Sequence, residues 1–306
     1  MTISFVLPFY NEENCVAAFF EELLQNLNGL KDYDFEFICI NDGSKDKTLE
    51  KLLAIKQSEP KLKIIDFSRN FGKEAALTAG IDYATGDAVI FMDTDLQDPP
   101  SLVSEMITKW QDGYEAILAK RVDRSSDTFF KKTTANIYYH FHNIIADIAL
   151  PENVGDFRLL DKSVIAALKK LPERRRFMKG LFSWVGFKST VIEYKRPERK
   201  EGKTKFNGWK LWNFAIEGIT SFSTLPLRIW TYVGGFISFC AILYSIFIII
   251  RTIVHGIDVP GYASIVSAIL FLGGIQLMGI GILGEYIGRI YYEVKQRPIY
   301  IVKTIY

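Results

Sequence analysis

The sequence predicts an α/β domain with a largely parallel sheet, followed by amphipathic interfacial helices and a two-helix transmembrane hairpin. Three observations lead there. Short β-branched or aromatic runs alternate with helix-period stretches in the first two hundred or so residues. The runs end in polar or glycine-containing loops. Nearly all long uncharged runs fall after Trp230, so the lipid-facing part is C-terminal.

Residues 2–7, 35–40, 62–67 and 88–92 read as buried strands, being rich in residues that suit a pleated surface. Between them, 13–27, 45–57 and 73–84 carry the helical period, the order of βαβ units. Sheets of that kind bind ligands beyond the carboxyl ends of their strands, where Asn41-Asp42-Gly43-Ser44 and Asp93-Thr94-Asp95 fall. Both motifs are therefore expected to face one crevice. A helix over 99–111, a strand over 114–120 and an amphipathic helix over about 128–148 precede Gly155-Asp156-Phe157-Arg158.

An apolar share of 49% exceeds what a soluble enzyme of this size needs. Residues 229–250 and 263–284 are uncharged runs, each long enough at ~1.5 Å per residue to cross a hydrocarbon core of ~30 Å. Arg228 precedes the first, and Arg289, Lys295 and Arg297 follow the second, which places both flanks in the cytoplasm; Arg251 between them dissents. Residues 195–228 mix Lys and Arg with Phe206, Trp209, Trp212, Phe214 and Phe222, as in helices lying among headgroups. The expected domains are thus 1–194, an interfacial segment 195–228, the spans within 229–285, and a cytoplasmic tail 286–306. Gly284 and Gly288 have the spacing of close helix approach and point to a homo-oligomer through these helices.

A net charge of +2 gives no field suited to nucleic acid, so no such partner is expected. Cys15, Cys39 and Cys240 match neither a disulfide framework nor a zinc site. Residues 1–10 lack a basic n-region and meet Pro8 too early for a signal peptide, so the N-terminal domain is expected to stay in the cytoplasm. His140 and His142 read as helix-surface residues, with no Ser/His/Asp set or zinc spacing around them.

The chemistry concentrates in Asp93-Thr94-Asp95-Leu96-Gln97. At the end of a strand, the period of two sends Asp93, Asp95 and Gln97 to one face. Carboxylates so placed repel unless a cation joins them, and magnesium takes oxygen ligands while sharing its coordination with substrate phosphates. Asp98, directly before Pro99-Pro100, is assigned instead to capping the next helix. Asn41 to Ser44 alone suits a simple turn. With Pro8-Phe9-Tyr10-Asn11-Glu12-Glu13 at the end of the first strand, it would bracket a base and ribose.

Together these motifs resemble the family 2 glycosyltransferases of GT-A (Rossmann-like) fold, in the polyprenyl-phosphate branch. That branch includes dolichol-phosphate mannose synthase and the bactoprenol glucosyltransferases of O-antigen modification. The likeness continues through Ser68-Arg69-Asn70-Phe71-Gly72-Lys73-Glu74, Lys120-Arg121, Asn153 to Arg158, Lys203 to Gly208 and the paired C-terminal anchor. It implies Pro8, Tyr10, Glu12, Asp42 and Asp93 at the nucleotide sugar, with Asp93, Asp95 and Gln97 at Mg2+ or Mn2+. It also implies Asp156 and Asp95 as catalytic groups, and Arg121, Arg199 and Lys205 at the acceptor phosphate. The implied reaction is inverting transfer of one glucose from UDP-glucose to undecaprenyl phosphate, by a multi-pass enzyme of the bacterial inner membrane whose two termini are cytoplasmic. Mannose or an amino sugar in place of glucose, a processive polysaccharide synthase subunit, and a non-catalytic membrane scaffold are the alternatives. The processive class carries a Gln-x-x-Arg-Trp motif, which is absent, and a scaffold would not need Asp93, Asp95 and Asp156 together.

Overall fold

The computed structural model describes residues 1–122, 154–195, 223, 225–255 and 261–306. The expected helix over 128–148, with His140 and His142, lies outside the described residues, as does nearly all of the 195–228 segment.

Four strands, β1 (Thr2–Phe9), β2 (Asp34–Asn41), β3 (Leu62–Phe67) and β4 (Ala88–Phe91), alternate with α1 (Val16–Leu27), α2 (Thr48–Ser58) and α3 (Lys73–Tyr83). They pair in parallel in the order β3, β2, β1, β4. β1 is buried on both faces, as strands covered by helices on either side must be. Ile3, Phe5, Leu7 and Phe9 pack with Phe19, Phe20 and Leu23 of α1 on one face. Val6 on the other face packs with Ala76, Ala79 and Ile81 of α3. Gly80 of α3 rests on Val6, where a Cβ would collide with the valine methyls.

After a short 3-10 turn (Pro100–Leu102) come α4 (Val103–Gln111), β5 (Ala116–Arg121), β6 (Val154–Asp161), α5 (Lys162–Lys169), α6 (Met178–Trp184) and β7 (Ser189–Tyr194). β6 inserts antiparallel between β4 and β5, so the sheet is mixed and eight-stranded: β7, β5, β6, β4, β1, β2, β3, β8. The largely parallel expectation holds for β4, β1, β2 and β3, and antiparallel β6 on one side and β8 on the other depart from it.

Two long helices, α7 (Leu225–His255) and α8 (Tyr262–Lys295), follow. Among the described residues, Phe271–Lys295 is the one stretch long and apolar enough to cross a membrane, and Ile229–Tyr244 is a shorter apolar helix stretch. The two helices approach at Gly279, where a Cβ would run into the Trp230 indole. Gly284 and Gly288 face open space within the chain. The last segment departs from the expected tail: residues 286–295 continue α8, and β8 (Val302–Ile305) pairs antiparallel with β3. Mutual backbone hydrogen bonds between Ile64 and Tyr306 extend that pairing, and Tyr300 stacks on Phe67 with ring centroids 5.0 Å apart.

Candidate active site

The carboxyl ends of β1, β2 and β4 meet where the strand order reverses around β1, so their loops pack together. Asn11 and Glu12, after β1, donate their backbone N–H groups to Ser44 Oγ at 3.0 Å and Thr48 Oγ1 at 2.9 Å. Pro8, one residue before the end of β1, pairs with Ile40 and accepts a hydrogen bond from Thr94 Oγ1 at 3.2 Å, while Tyr10 is exposed at the crest.

Asp42 is buried, and its carboxylate holds the next loop in place. It accepts from the N–H of Phe71 at 2.6 Å, the N–H of Gly72 at 3.0 Å and Asn70 Nδ2 at 2.9 Å. Burial raises its pKa against those hydrogen bonds. Gly43 has φ +61, and any Cβ there would strike the Arg69 and Asn70 backbone, so only glycine permits this close approach of the loops.

β4 ends at Phe91, before the acidic motif, so residues 93–97 form a turn rather than a strand. The period-two expectation for Asp93, Asp95 and Gln97 therefore does not apply, since all three lie beyond the strand. Leu96 takes φ +60, and Asp95 Oδ1 accepts the Gln97 N–H at 3.2 Å across that turn; Gln97 itself is 9% exposed. Asp98 departs from the capping role as well, because the 3-10 turn is capped at Pro99. Its carboxyl turns inward, accepting from Tyr194 Oη at 3.0 Å and from the Asp93 N–H at 3.3 Å. Burial, together with the Asp93 charge, pushes it up to about 7.

Asp156 reaches the same place through sheet register. β6 pairs Phe91, the last residue of β4, with Arg158, so Asp156 lies just past the end of β4 on the side of Asp93. Between them sits the Lys73 ammonium, 2.6 Å from Asp93 Oδ1 and 2.6 Å from Asp156 Oδ2. Burial opposes the ionised form of Asp156, and Lys73, Lys179 and Arg158 overcome it, holding the carboxyl well below the usual carboxylate range. Burial likewise opposes the charge on Lys73, and Asp156 and Asp93 outweigh it, keeping the amine charged above the ordinary lysine range. Glu74 accepts the Met178 N–H at 2.9 Å, and burial with the Asp156 charge raises it to about 7. Arg158 is 2% exposed and lies over the Phe182 ring at 4.2 Å; burial lowers it to about 10. Arg121 closes β5 opposite Tyr194, at the edge where β6 begins. Arg199 and Lys205 lie outside the described residues.

Residues 4–168 match the family described as glycosyl transferase family 2, and 225–290 match the GtrB C-terminal hairpin. The chain belongs to family 2 of the glycosyltransferases. It is 54% identical over 99% of its length, and 98% of the relative's, to the SfII prophage-derived bactoprenol glucosyl transferase of Shigella flexneri. A prophage bactoprenol glucosyl transferase homolog of Escherichia coli is 52% identical over 100% of this chain and 99% of that one. An uncharacterized glycosyltransferase of Synechocystis is 53% identical over 99% and 95% respectively.

In this family 2 glycosyltransferase, Asp93 and Asp95 offer the hard oxygen donors a divalent cation prefers, and the ammonium beside Asp93 marks a place that draws positive charge. Among the described residues no group of three or more His, Cys, Asp or Glu is gathered as a complete metal cage. Two carboxylates suffice for a cation that takes its remaining ligands from a diphosphate and water, so the residues fit Mg2+ or Mn2+ bound with its substrate. The sequence alone assigns no role to Lys73, Glu74, Arg158, Lys179 or Tyr194, and gives Asp98 a capping role only. Lys73 and Glu74 do lie in a motif singled out there, but the fold is needed to bring them to Asp156.

Proposed function

We propose that this glycosyltransferase moves one glucose from UDP-glucose to undecaprenyl phosphate, with inversion, to supply a lipid-linked sugar for O-antigen glycosylation. The observation that carries this is the match along nearly the whole chain, hairpin included, to proteins named bactoprenol glucosyl transferase. A lipid phosphate oxygen attacks the anomeric carbon, the bond from that carbon to the diphosphate breaks, and UDP leaves. Pro8, Tyr10, Glu12 and Asp42 line the nucleotide end; Asp42 holds the 70–72 loop against it. Asp93, Asp95 and Gln97 would hold the divalent cation, which when bound would offset charge developing on the departing diphosphate. Asp156, already ionised, orients the acceptor and the sugar, since an ionised phosphate needs little proton removal. Arg121, with Arg199 and Lys205 of the juxtamembrane segment, meets the lipid phosphate with fixed positive charge.

The same proposal makes α7 and α8 two membrane spans of the bacterial inner membrane, with the 1–194 domain and both termini cytoplasmic and the 195–228 segment at the headgroups. Strand pairing supports it. β8 lies in the same sheet as β1, so the chain between β7 and β8 crosses the membrane an even number of times. If α8 crosses, α7 crosses back. Single cysteines placed at Arg251 and Lys295 test this: in intact cells an impermeant maleimide is expected to label position 251 and spare 295, and labelling of 295 from outside overturns the topology.

The reaction is tested with labelled nucleotide sugars offered one at a time with undecaprenyl phosphate, followed by organic extraction. UDP-glucose is expected to label the lipid fraction. Labelling from another donor in its place overturns the choice of glucose, and a lipid fraction without label from any donor overturns the acceptor.

A further inference from the structure

Lys73 opens α3 directly after Gly72, whose φ of +98 turns the chain into the helix. That turn is pinned by the Asp42 carboxylate, so the lysine stem leaves from a fixed origin. Its ammonium lies 2.6 Å from both Asp93 and Asp156, yet its side chain is 43% exposed, against 29% and 12% for its two partners. An exposed, flexible four-carbon stem on a rigid origin carries a charge that can be moved.

We propose that Lys73 is an internal counter-ion for the donor-free site, holding Asp93 until a divalent cation arrives with the diphosphate and then swinging wholly to Asp156. The inference rests on the assignment of Asp93 as a cation ligand. An ammonium and a divalent cation on one carboxylate repel strongly at such distances, so the two compete for Asp93. A cation alone must displace Lys73 unaided, whereas a cation carrying UDP brings negative charge that offsets the repulsion. Lys73 thereby makes cation binding depend on the donor, and Asp156 keeps the displaced ammonium paired. Lys73 is a positioning residue in this scheme and touches no reacting atom. A purely structural tie has the opposite sign: losing it would loosen both carboxylates and weaken cation binding.

Mn2+ titrations of the full chain in detergent, followed by electron paramagnetic resonance with and without UDP, separate the two. The parent is expected to bind Mn2+ weakly alone and more tightly with UDP. Lys73→Met is expected to bind Mn2+ alone at least about tenfold more tightly, with the gain from UDP correspondingly reduced. Lys73→Gln, which keeps a polar head without charge, is expected to move the same way, and Lys73→Arg to stay near the parent. Unchanged or weaker binding of Mn2+ alone in both neutral variants, with UDP-supported binding intact in the parent, overturns the counter-ion role. A parent that binds no Mn2+ even with UDP overturns the metal assignment itself, and the counter-ion role falls with it.

Discussion

Asp156→Asn is expected to lower the rate of sugar transfer to lipid by about a thousandfold, within the range for losing a precisely aimed charged group at a reacting centre. Asp156 lies on β6, its side chain 12% exposed, linked to Asp93 through Lys73, with Lys179 and Arg158 nearby. The substitution keeps the shape and removes the charge. Arg158 then stays buried with less opposing charge nearby, and Lys73 is left with Asp93 alone. The carboxyl is held well below the ordinary range, so it is ionised across neutral pH and is a weak base. On the proposed mechanism its work is electrostatic and positional, which an amide would not do. Initial rates at saturating UDP-glucose check this, with circular dichroism confirming the fold. More than a tenth of the parental rate in a folded variant contradicts the role given to Asp156.

Asp95→Asn and chelation are expected to cost a similar factor, about a thousandfold in turnover, because on the proposed mechanism each would remove a cation that offsets charge on the departing diphosphate. The two losses differ in reversibility. Added Mg2+ or Mn2+ is expected to restore the chelated parent, whereas the variant, with an amide oxygen in place of a carboxylate, recovers only partly at high metal concentration. Asp95 sits half-exposed in the turn after β4 and already accepts the Gln97 N–H with one oxygen, so the change also loosens that turn. Rates unchanged in saturating chelator contradict any metal role at this site.

The parallel half of the sheet was legible because β1 to β4 are buried strands with helices between them, and a buried strand announces itself as a short apolar run. The mixed half was not. β6 begins at Val154, inside a motif taken for chemistry alone, and its place between β4 and β5 depends on pairings between segments distant in sequence. β8 carried a signal in the β-branched run Ile299 to Ile305, but it follows a long apolar helix and so passed for a tail. At the site, the Asp93 and Asp95 motif is legible from its spacing and Asp156 through the family resemblance, whereas the meeting of Asp93 and Asp156 at Lys73 depends on β6 pairing antiparallel with β4. Asp98 differs from its expected capping role because the strand ends at Phe91 and the chain beyond it turns the Asp98 carboxyl inward to Tyr194. Lys73 was hidden by its ordinary setting in the first turn of a helix, where a lysine usually faces solvent.

The most direct test is the mass of the lipid made from UDP-glucose and undecaprenyl phosphate by the purified full chain. A single species, the parent lipid phosphate plus one hexose, with an equal amount of UDP released, is the expected result. A ladder of hexoses on the lipid, or UDP released while the lipid stays unmodified, would contradict transfer of one sugar to a polyprenyl phosphate.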